Sequence, residues 1–311
     1  MKTTHILRAA VGVALFLTSL PAMAYGPEGH RIVGAIAEKR LEGTNTLVRV
    51  RQILGNMSLA EASIWADSIK SGPIPGDADS AAYLAANRNH KPYHYVNLPF
   101  QARYYSLTTP GARADDVVQI SKQCIQFLQG QPGANPHRLN QRTALLLLAH
   151  FTGDMHQPLH VGCGYIDAPT HSFVNPAFNA TAKHDHGGNN IDYRSGLHTF
   201  FDSTAVGAAR RHAVTSGGWL AYANLLAART PAAGWANSGA PANWPKQWAN
   251  NALPLADSVY RQITLTTPGT KAGHWNVTVT PTFETSAREL TDKQLAKAGY
   301  RLAAVLKAIL P

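Results

Sequence analysis

Apolar positions recur at helical spacing along most of the chain. Over residues 31–41, Ile32, Ile36, Ala37 and Leu41 fall near one stripe and predict a helix. Residues 58–70 open with Ser58 and place Glu61 three residues on, the spacing of a capping box, so one helix is predicted there. Residues 114–130 are amphipathic and stop at a glycine. Within 139–151, the run from Ala144 to Ala149 is apolar all round, which predicts a central buried helix. Residues 219–228, 255–262 (just after Pro254) and 286–310 are the remaining predicted helices. Weak alternation over 263–266 and 275–280, on either side of Pro268-Gly269, predicts one small hairpin. The Pro/Gly-rich stretches at 71–77, 130–136, 164–180 and 231–245 predict loops, with no change of composition that would mark a linker. The expectation is one mostly helical, all-α domain.

The first 24 residues stand apart. Lys2 and Arg8 precede a short apolar run, and Ala22-Met23-Ala24 provides a small-residue cleavage site, the pattern of a secretory leader. Removal would start the domain, residues 25–311, at Tyr25. No later stretch is apolar enough to span a bilayer, so a secreted or periplasmic protein without stable membrane association is expected. The 311-residue chain carries a formal charge of +10, of which two charges lie in the leader. That is modest attraction for a polyanion. Only two cysteines occur, against 14 histidines, which excludes a disulfide-dense scaffold and a four-cysteine zinc site. Any metal would be held by imidazole and carboxylate. An exported protein could pair Cys124 with Cys163, and that bridge is expected here, two free buried thiols being the alternative.

The candidate chemistry is concentrated in His150-x-x-x-Asp154-x-His156-x-x-x-His160. His150 and Asp154 share a helical face, Pro158 stops the helix, and His160 follows on the turn. Three histidines and an aspartate at the edge of an apolar core are costly to bury without partners, and Zn²⁺ suits such donors. His198-x-x-x-Asp202 repeats the spacing, just after Asp185-His186-Gly187-Gly188-Asn189. His30, Trp65-Ala66-Asp67 and His94-Tyr95-Val96-Asn97 are scattered candidates that spacing alone does not connect.

Gly-x-x-Gly-His, Trp-Ala-Asp, His-Tyr-Val-Asn, His-Phe-x-Gly-Asp-x-His-Gln-Pro-Leu-His, Gly-Gly-Asn and Leu-His-x-x-x-Asp follow one another in that order. Taken together they resemble the zinc-dependent single-strand nucleases and 3′-nucleotidases, the S1/P1 nucleases, over essentially all of 25–311. That family shares an all-α fold with bacterial zinc phospholipase C. The resemblance implies three zinc ions. Asp67, His94 and His150 would hold the first, with Asp154 bridging, and His160, His198 and Asp202 the second. His30 and Asp154 would hold the third, together with the main-chain amine and carbonyl of Tyr25. A free α-amine with a pKa of roughly 7.7–8.0 can deprotonate onto a metal, so leader removal would help build the site.

By the same resemblance His156 is an orienting residue rather than a ligand. Asp67 would orient the attacking water and Lys70 would contact the phosphate; the base pocket is not legible from the sequence, and Asn189 is taken as a candidate for substrate binding apart from the resemblance. The implied substrates are single-stranded DNA and RNA, cut to 5′-nucleotides by an endonuclease, and 3′-nucleotides; the oligomeric state is left open by the sequence, with a monomer favoured. A zinc phospholipase C is the alternative. Tyr25 and Phe201 stand where the family commonly has Trp, and residues 164–183 look like an insertion. They are expected to form a surface loop, whose Tyr165, His171, Phe173 and Phe178 raise base stacking as a second possibility.

Overall fold

The computed structural model describes residues 25–131, 133 and 135–311. The predicted leader, residues 1–24, lies outside the described residues. Helix α1 (Pro27–Leu41) begins earlier than the apolar stripe predicts. Pro27 is preorganised for the first turn and Glu28 sits at the positive end of the helix, which draws His30 into the helix on its buried side. Helix α2 (Asn45–Leu54) is capped by Thr44.

The continuous helix predicted over 58–70 is broken. The Ser58–Glu61 capping box is present, but α3 (Leu59–Ala62) is one turn, followed by α4 (Trp65–Ser68) and a 3₁₀ turn, Ile69–Ser71. The cause lies at Ser63. Its hydroxyl donates to the Leu59 carbonyl at 2.7 Å, and its own carbonyl accepts from His150 Nδ1 at 2.7 Å, so neither group serves a continuing helix. The new axis of α4 turns Asp67 inward.

After α5 (Ala78–Ala86) and α6 (Val117–Leu128), each capped by an aspartate, α7 (Gln141–Asp154) runs through the middle of the molecule. Every α7 residue from Thr143 to Asp154 is buried, as its apolar run predicts. Helix α8 (Leu197–Thr199) passes through a π turn, Phe200–Thr204, into α9 (Ala205–Ala213), and α10 is Gly218–Ala227. Helix α11 (Trp244–Tyr260) overrides the predicted start after Pro254. A proline inside a helix costs about 3 kcal/mol, and the buried row Trp248, Ala249, Ala252, Leu253 and Ala256 outweighs it. The long α12 (Phe283–Ile309) packs along α1. Gly299 makes that approach feasible, because a Cβ there would stand 2.4 Å from Ile36 Cβ.

Short strands decorate this helical body. β1 (Leu98–Pro99) pairs in parallel with β2 (Gly162–Cys163). The segment expected to be a loop forms a three-stranded sheet from β3 (Tyr165–Asp167), β4 (Ser172–Phe173) and β5 (Lys183–His184), with β3 in the middle. Its fold depends on tertiary contact, for Phe173 packs edge-on against Phe100 and Tyr260. β6 (Ile191–Asp192) adds in parallel to the expected hairpin of β7 (Ile263–Pro268) and β8 (Trp275–Val279).

The expected Cys124–Cys163 bridge is absent: both thiols are free and buried. Cys124 sits on α6 within the main core near Tyr83, whereas Cys163 is on β2 near Asp185 and Tyr260. Burial raises both thiols above their usual range, so they are inert apolar fillers. Among the described residues no helix is long and apolar enough to cross a membrane.

Candidate metal centre

The buried end of α7 is the floor of the site. One helical turn sets His150 and Asp154 side by side, with His150 Nε2 3.3 Å from Asp154 Oδ2. The 3₁₀ turn Lys91–His94, just before β1, brings His94, whose Nδ1 lies 3.0 Å from His150 Nε2 and 3.2 Å from Asp154 Oδ2. Asp67, turned inward by the break at Ser63, places Oδ1 3.5 Å from His150 Nε2 and 3.7 Å from His94 Nδ1. His30 of α1 stacks on His150 with ring centroids 3.8 Å apart, and its Nε2 is 3.3 Å from Asp154 Oδ1. That stacking needs Gly153, since a Cβ there would meet His30 Nδ1 at 2.8 Å.

Beside this group stands another. His198 Nε2 lies 3.1 Å from His160 Nε2 and 3.4 Å from Asp202 Oδ2. The π turn after α8 carries Asp202, and Gln157 Nε2 donates to its Oδ1 at 2.9 Å. Three sets have donor atoms that converge closely enough to share an ion: His30, Asp67 and His150; His94, His150 and Asp154; and His160, His198 and Asp202. All of these residues are buried.

The proton positions show what the clusters lack. His150, His160 and His198 each direct Nδ1 at a carbonyl, of Ser63, His94 and Gly187, at 2.7, 2.9 and 2.7 Å. A carbonyl only accepts, so each ring carries a proton on Nδ1 and turns Nε2 into the cluster, as a bare lone pair in the neutral rings of His160 and His198. The lone pairs of His160 and His198 then face each other across 3.1 Å. Oδ2 of Asp67, Oδ2 of Asp202 and Nδ1 of His30 are buried without a hydrogen-bond partner, and Oδ1 of Asp154 and Nε2 of His30 face each other at 3.3 Å without hydrogen-bond alignment. Such orphaned atoms cost about 1–3 kcal/mol each when nothing satisfies them. A cation is the partner that lone pairs and carboxylates share, and tetrahedral Zn²⁺ with ligands at about 2.0–2.1 Å sets donors a little over 3 Å apart. The donor set fits a metal.

Electrostatics agree at three of the rings, whereas at His150 burial lowers the ring but the Asp154 and Asp67 carboxylates outweigh it and raise it, a positive charge that a bound cation would replace. Burial lowers His94 to about 3, His198 to about 3 and His160 to about 4, which keeps these rings in the neutral form that ligates. Burial pushes the Asp67 carboxyl up, but His150, Lys70 and His94 overcome it and hold the group at about 2. Asp202 goes the other way, raised by burial and by the fields of Asp67 and Asp154, a strain that a bound cation would relieve.

Over the clusters opens a cleft of about 450 Å³ lined by Lys70, Lys91, His94, Tyr95, Asn97, His160, His186, Asn189, Asn190 and His198. Lys70 Nζ reaches Asp67 Oδ1 at 2.6 Å. Asn189 lines the cleft while its side-chain amide donates to the His186 carbonyl at 2.7 Å. His156 stands outside the clusters: Nδ1 donates to the Thr152 carbonyl and Nε2 accepts from Arg301. Its carbonyl accepts from the Tyr25 hydroxyl at 3.2 Å, so it steadies Tyr25, which is buried beside His30 and Asp202. Sequence reasoning missed Gln157, Lys91, Tyr95, Asn97, His186 and Asn190. Tyr95 and Asn97 lay inside a quoted motif in which only His94 had been given a role. The Ser63 and Gly187 carbonyls leave no side-chain signal at all.

A model of the S1/P1 nuclease family matches residues 25–311. Endonuclease 2 of Arabidopsis thaliana is 25% identical over 226 residues, which span 67% of this chain and 65% of that protein. Endonuclease 4 of the same plant is 27% identical over 332 residues, spanning 97% and 95%, and Endonuclease 5 is 27% identical over 331 residues, spanning 97% of each. With every residue of the candidate metal clusters inside the matched span, the chain belongs to the S1/P1 nuclease family, hydrolases that act on nucleic acids.

Proposed function

We propose that this protein holds three zinc ions and cleaves single-stranded DNA and RNA to 5′-nucleotides, with 3′-nucleotidase activity, as an exported monomer freed of residues 1–24. The observation that carries the reading is the pair of bare imidazole lone pairs facing each other at His160 and His198, beside orphaned carboxylate oxygens of Asp67, Asp154 and Asp202. Asp67, His94 and His150 would hold one zinc, His160, His198 and Asp202 a second, and His30 with the main chain of Tyr25 a third, Asp154 being shared. Zinc in such a site brings the acidity of a water towards neutrality and stabilises charge on a phosphate oxygen.

The chain's own groups do the rest. Asp67 is ionised at working pH and accepts a hydrogen bond from the attacking water, which fixes its direction. Lys70 lies at the edge between Asp67 and the cleft, with its side chain 13% exposed, and neutralises a phosphate there. Lys91 adds positive charge and Tyr95 an aromatic face. The ligand side chains are at most 7% exposed, so a phosphate must be carried down to them. A flexible strand with splayed bases can do that, and a stiff duplex cannot.

The test is made on protein that begins at Tyr25. Zinc is counted by plasma mass spectrometry, and turnover is measured on single-stranded DNA, duplex DNA, 3′-AMP and phosphatidylcholine, with and without chelator. About three zincs and chelator-sensitive cleavage of the single strand and 3′-AMP are expected. Three zincs with phosphocholine release and no nuclease activity would replace the reading by a phospholipase.

Gly153→Ala probes the His30 position separately. Alanine favours the helix by about 1 kcal/mol, yet its Cβ displaces the His30 ring. The displaced ring and the lost metal offset that gain, so the expected result is a folded protein with native circular dichroism, one zinc fewer per chain, and cleavage reduced about 10–100-fold. Full zinc content in this variant would remove His30 from the ligand set.

A further inference from the structure

The segment expected to be a plain surface loop builds a second chamber, of about 750 Å³, between the β3–β4–β5 sheet and the β7–β8 hairpin. It is not isolated. His186 and Asn190 line both this chamber and the cleft over the metal clusters, so the two spaces meet there. Its size is within the range that encloses a small organic group. Its walls carry aromatic surface: Trp275 with His171 edge-on at 5.0 Å, and His184 against His186 at 4.2 Å. His171 and His186 both adopt positive φ, of 50° and 56°, a conformation uncommon for a side-chain-bearing residue and more often kept where function needs it.

Charge narrows the occupant. Lys183 stands on the wall, but so do two carboxylates. Asp167 accepts from Thr170 and Asn179, and Asp185 from the Tyr260 hydroxyl and the Gly164 and Gly188 amides. Burial pushes the Asp185 carboxyl up to about 7, so the pair of Asp167 and Lys183 sets the balance, and it leaves no excess of positive charge to hold a phosphate. Imidazole edges, the Asn190 amide and the Trp275 indole instead match an uncharged heterocycle.

We propose that this chamber is a base-binding subsite for a nucleotide beyond the two that flank the phosphate being cut. The proposal rests on the single-strand nuclease reading. The inserted segment then makes turnover depend on substrate length, because only a longer strand reaches past His186 into the chamber.

The experiment compares kcat/KM on 3′-AMP, a dinucleotide and a tetranucleotide for the zinc-loaded wild type, His171→Gly, His184→Ala and the double variant. One stacked base is worth about ten-fold. Wild-type kcat/KM is expected to rise about ten-fold from dinucleotide to tetranucleotide, and the double variant to lose that rise while its 3′-AMP rate stays within two-fold or so. The 3′-AMP rate doubles as the check on folding, with His171→Gly alone, compatible with its positive φ, as the milder variant. A length effect unchanged in the double variant, or absent from the wild type, would overturn the subsite. Failure to cleave any nucleotide substrate would instead overturn the nuclease reading beneath it.

Discussion

Asp154→Ala is expected to abolish nucleic-acid cleavage, with a loss of about 10³-fold or more, while the protein remains folded. Asp154 is the last residue of α7 and is inaccessible to solvent. Its Oδ2 serves His94 and His150 at 3.2 and 3.3 Å, and its Oδ1 faces His30 at 3.3 Å, so one carboxylate spans two groups of ligands. A negative charge at a helix C-terminus opposes the helix dipole, and a purely structural need would place it elsewhere. Metal-ion stabilisation of a phosphoryl transfer is worth several kcal/mol, and each 1.36 kcal/mol is tenfold in rate, hence the size of the expected loss. Plasma mass spectrometry should find the zincs nearest Asp154 depleted, and circular dichroism should find native helix content. Unfolding in step with the lost activity would mean that the carboxylate holds the helix rather than the metal. Full zinc with unimpaired cleavage would exclude it from the site.

Much of this cluster was legible because its members come as pairs on single helical turns. His150 with Asp154 and His198 with Asp202 announce a shared face without any tertiary knowledge. Asp67 is different. Its motif was recognisable, but the predicted continuous helix over 58–70 would have pointed it elsewhere, and only the hydrogen bonds of Ser63 to Leu59 and His150 break the helix and turn it inward. The same dependence on distant partners hid the β3–β4–β5 sheet. Strands of two or three residues carry no usable alternation, and this sheet is held by Phe173 on Phe100 and Tyr260. The expectation of a cysteine bridge failed for a related reason. Compartment chemistry says whether thiols can pair, whereas the fold decides whether they meet, and these two sit on separate elements with separate neighbours. Cleft residues such as Lys91, His186 and Asn190 have no local signature, since their role comes from where the chain returns.

Asp67→Asn is expected to lower kcat about 10²–10³-fold with a far smaller change in KM, consistent with loss of a group that positions or accepts a proton. The substitution keeps the shape of a side chain that is 4% exposed, so packing is preserved and charge alone changes. In the native protein Lys70 Nζ pairs with Oδ1 at 2.6 Å, and Oδ2 is buried without a hydrogen-bond partner. Asparagine replaces one of these acceptors by an N–H₂ donor, which cannot receive a hydrogen bond from an attacking water and leaves the lysine without its counter-charge. Zinc content separates two origins of the loss. Full zinc with low kcat assigns Asp67 to the water, whereas a missing zinc assigns it to the metal, and near-normal kcat with full zinc would deny it both roles. Chelated protein supplies an independent check on its charge. The folded-state carboxyl, held at about 2, lies below its ordinary value of 3.8, so the unfolded chain binds the proton more readily. The stability this gives the wild type over Asp67→Asn is fully present above pH 4 or so and is lost as pH falls through about 2. Equal melting temperatures of the two chelated proteins from neutral pH down to that range would show that the histidines and Lys70 do not hold Asp67 in its ionised form.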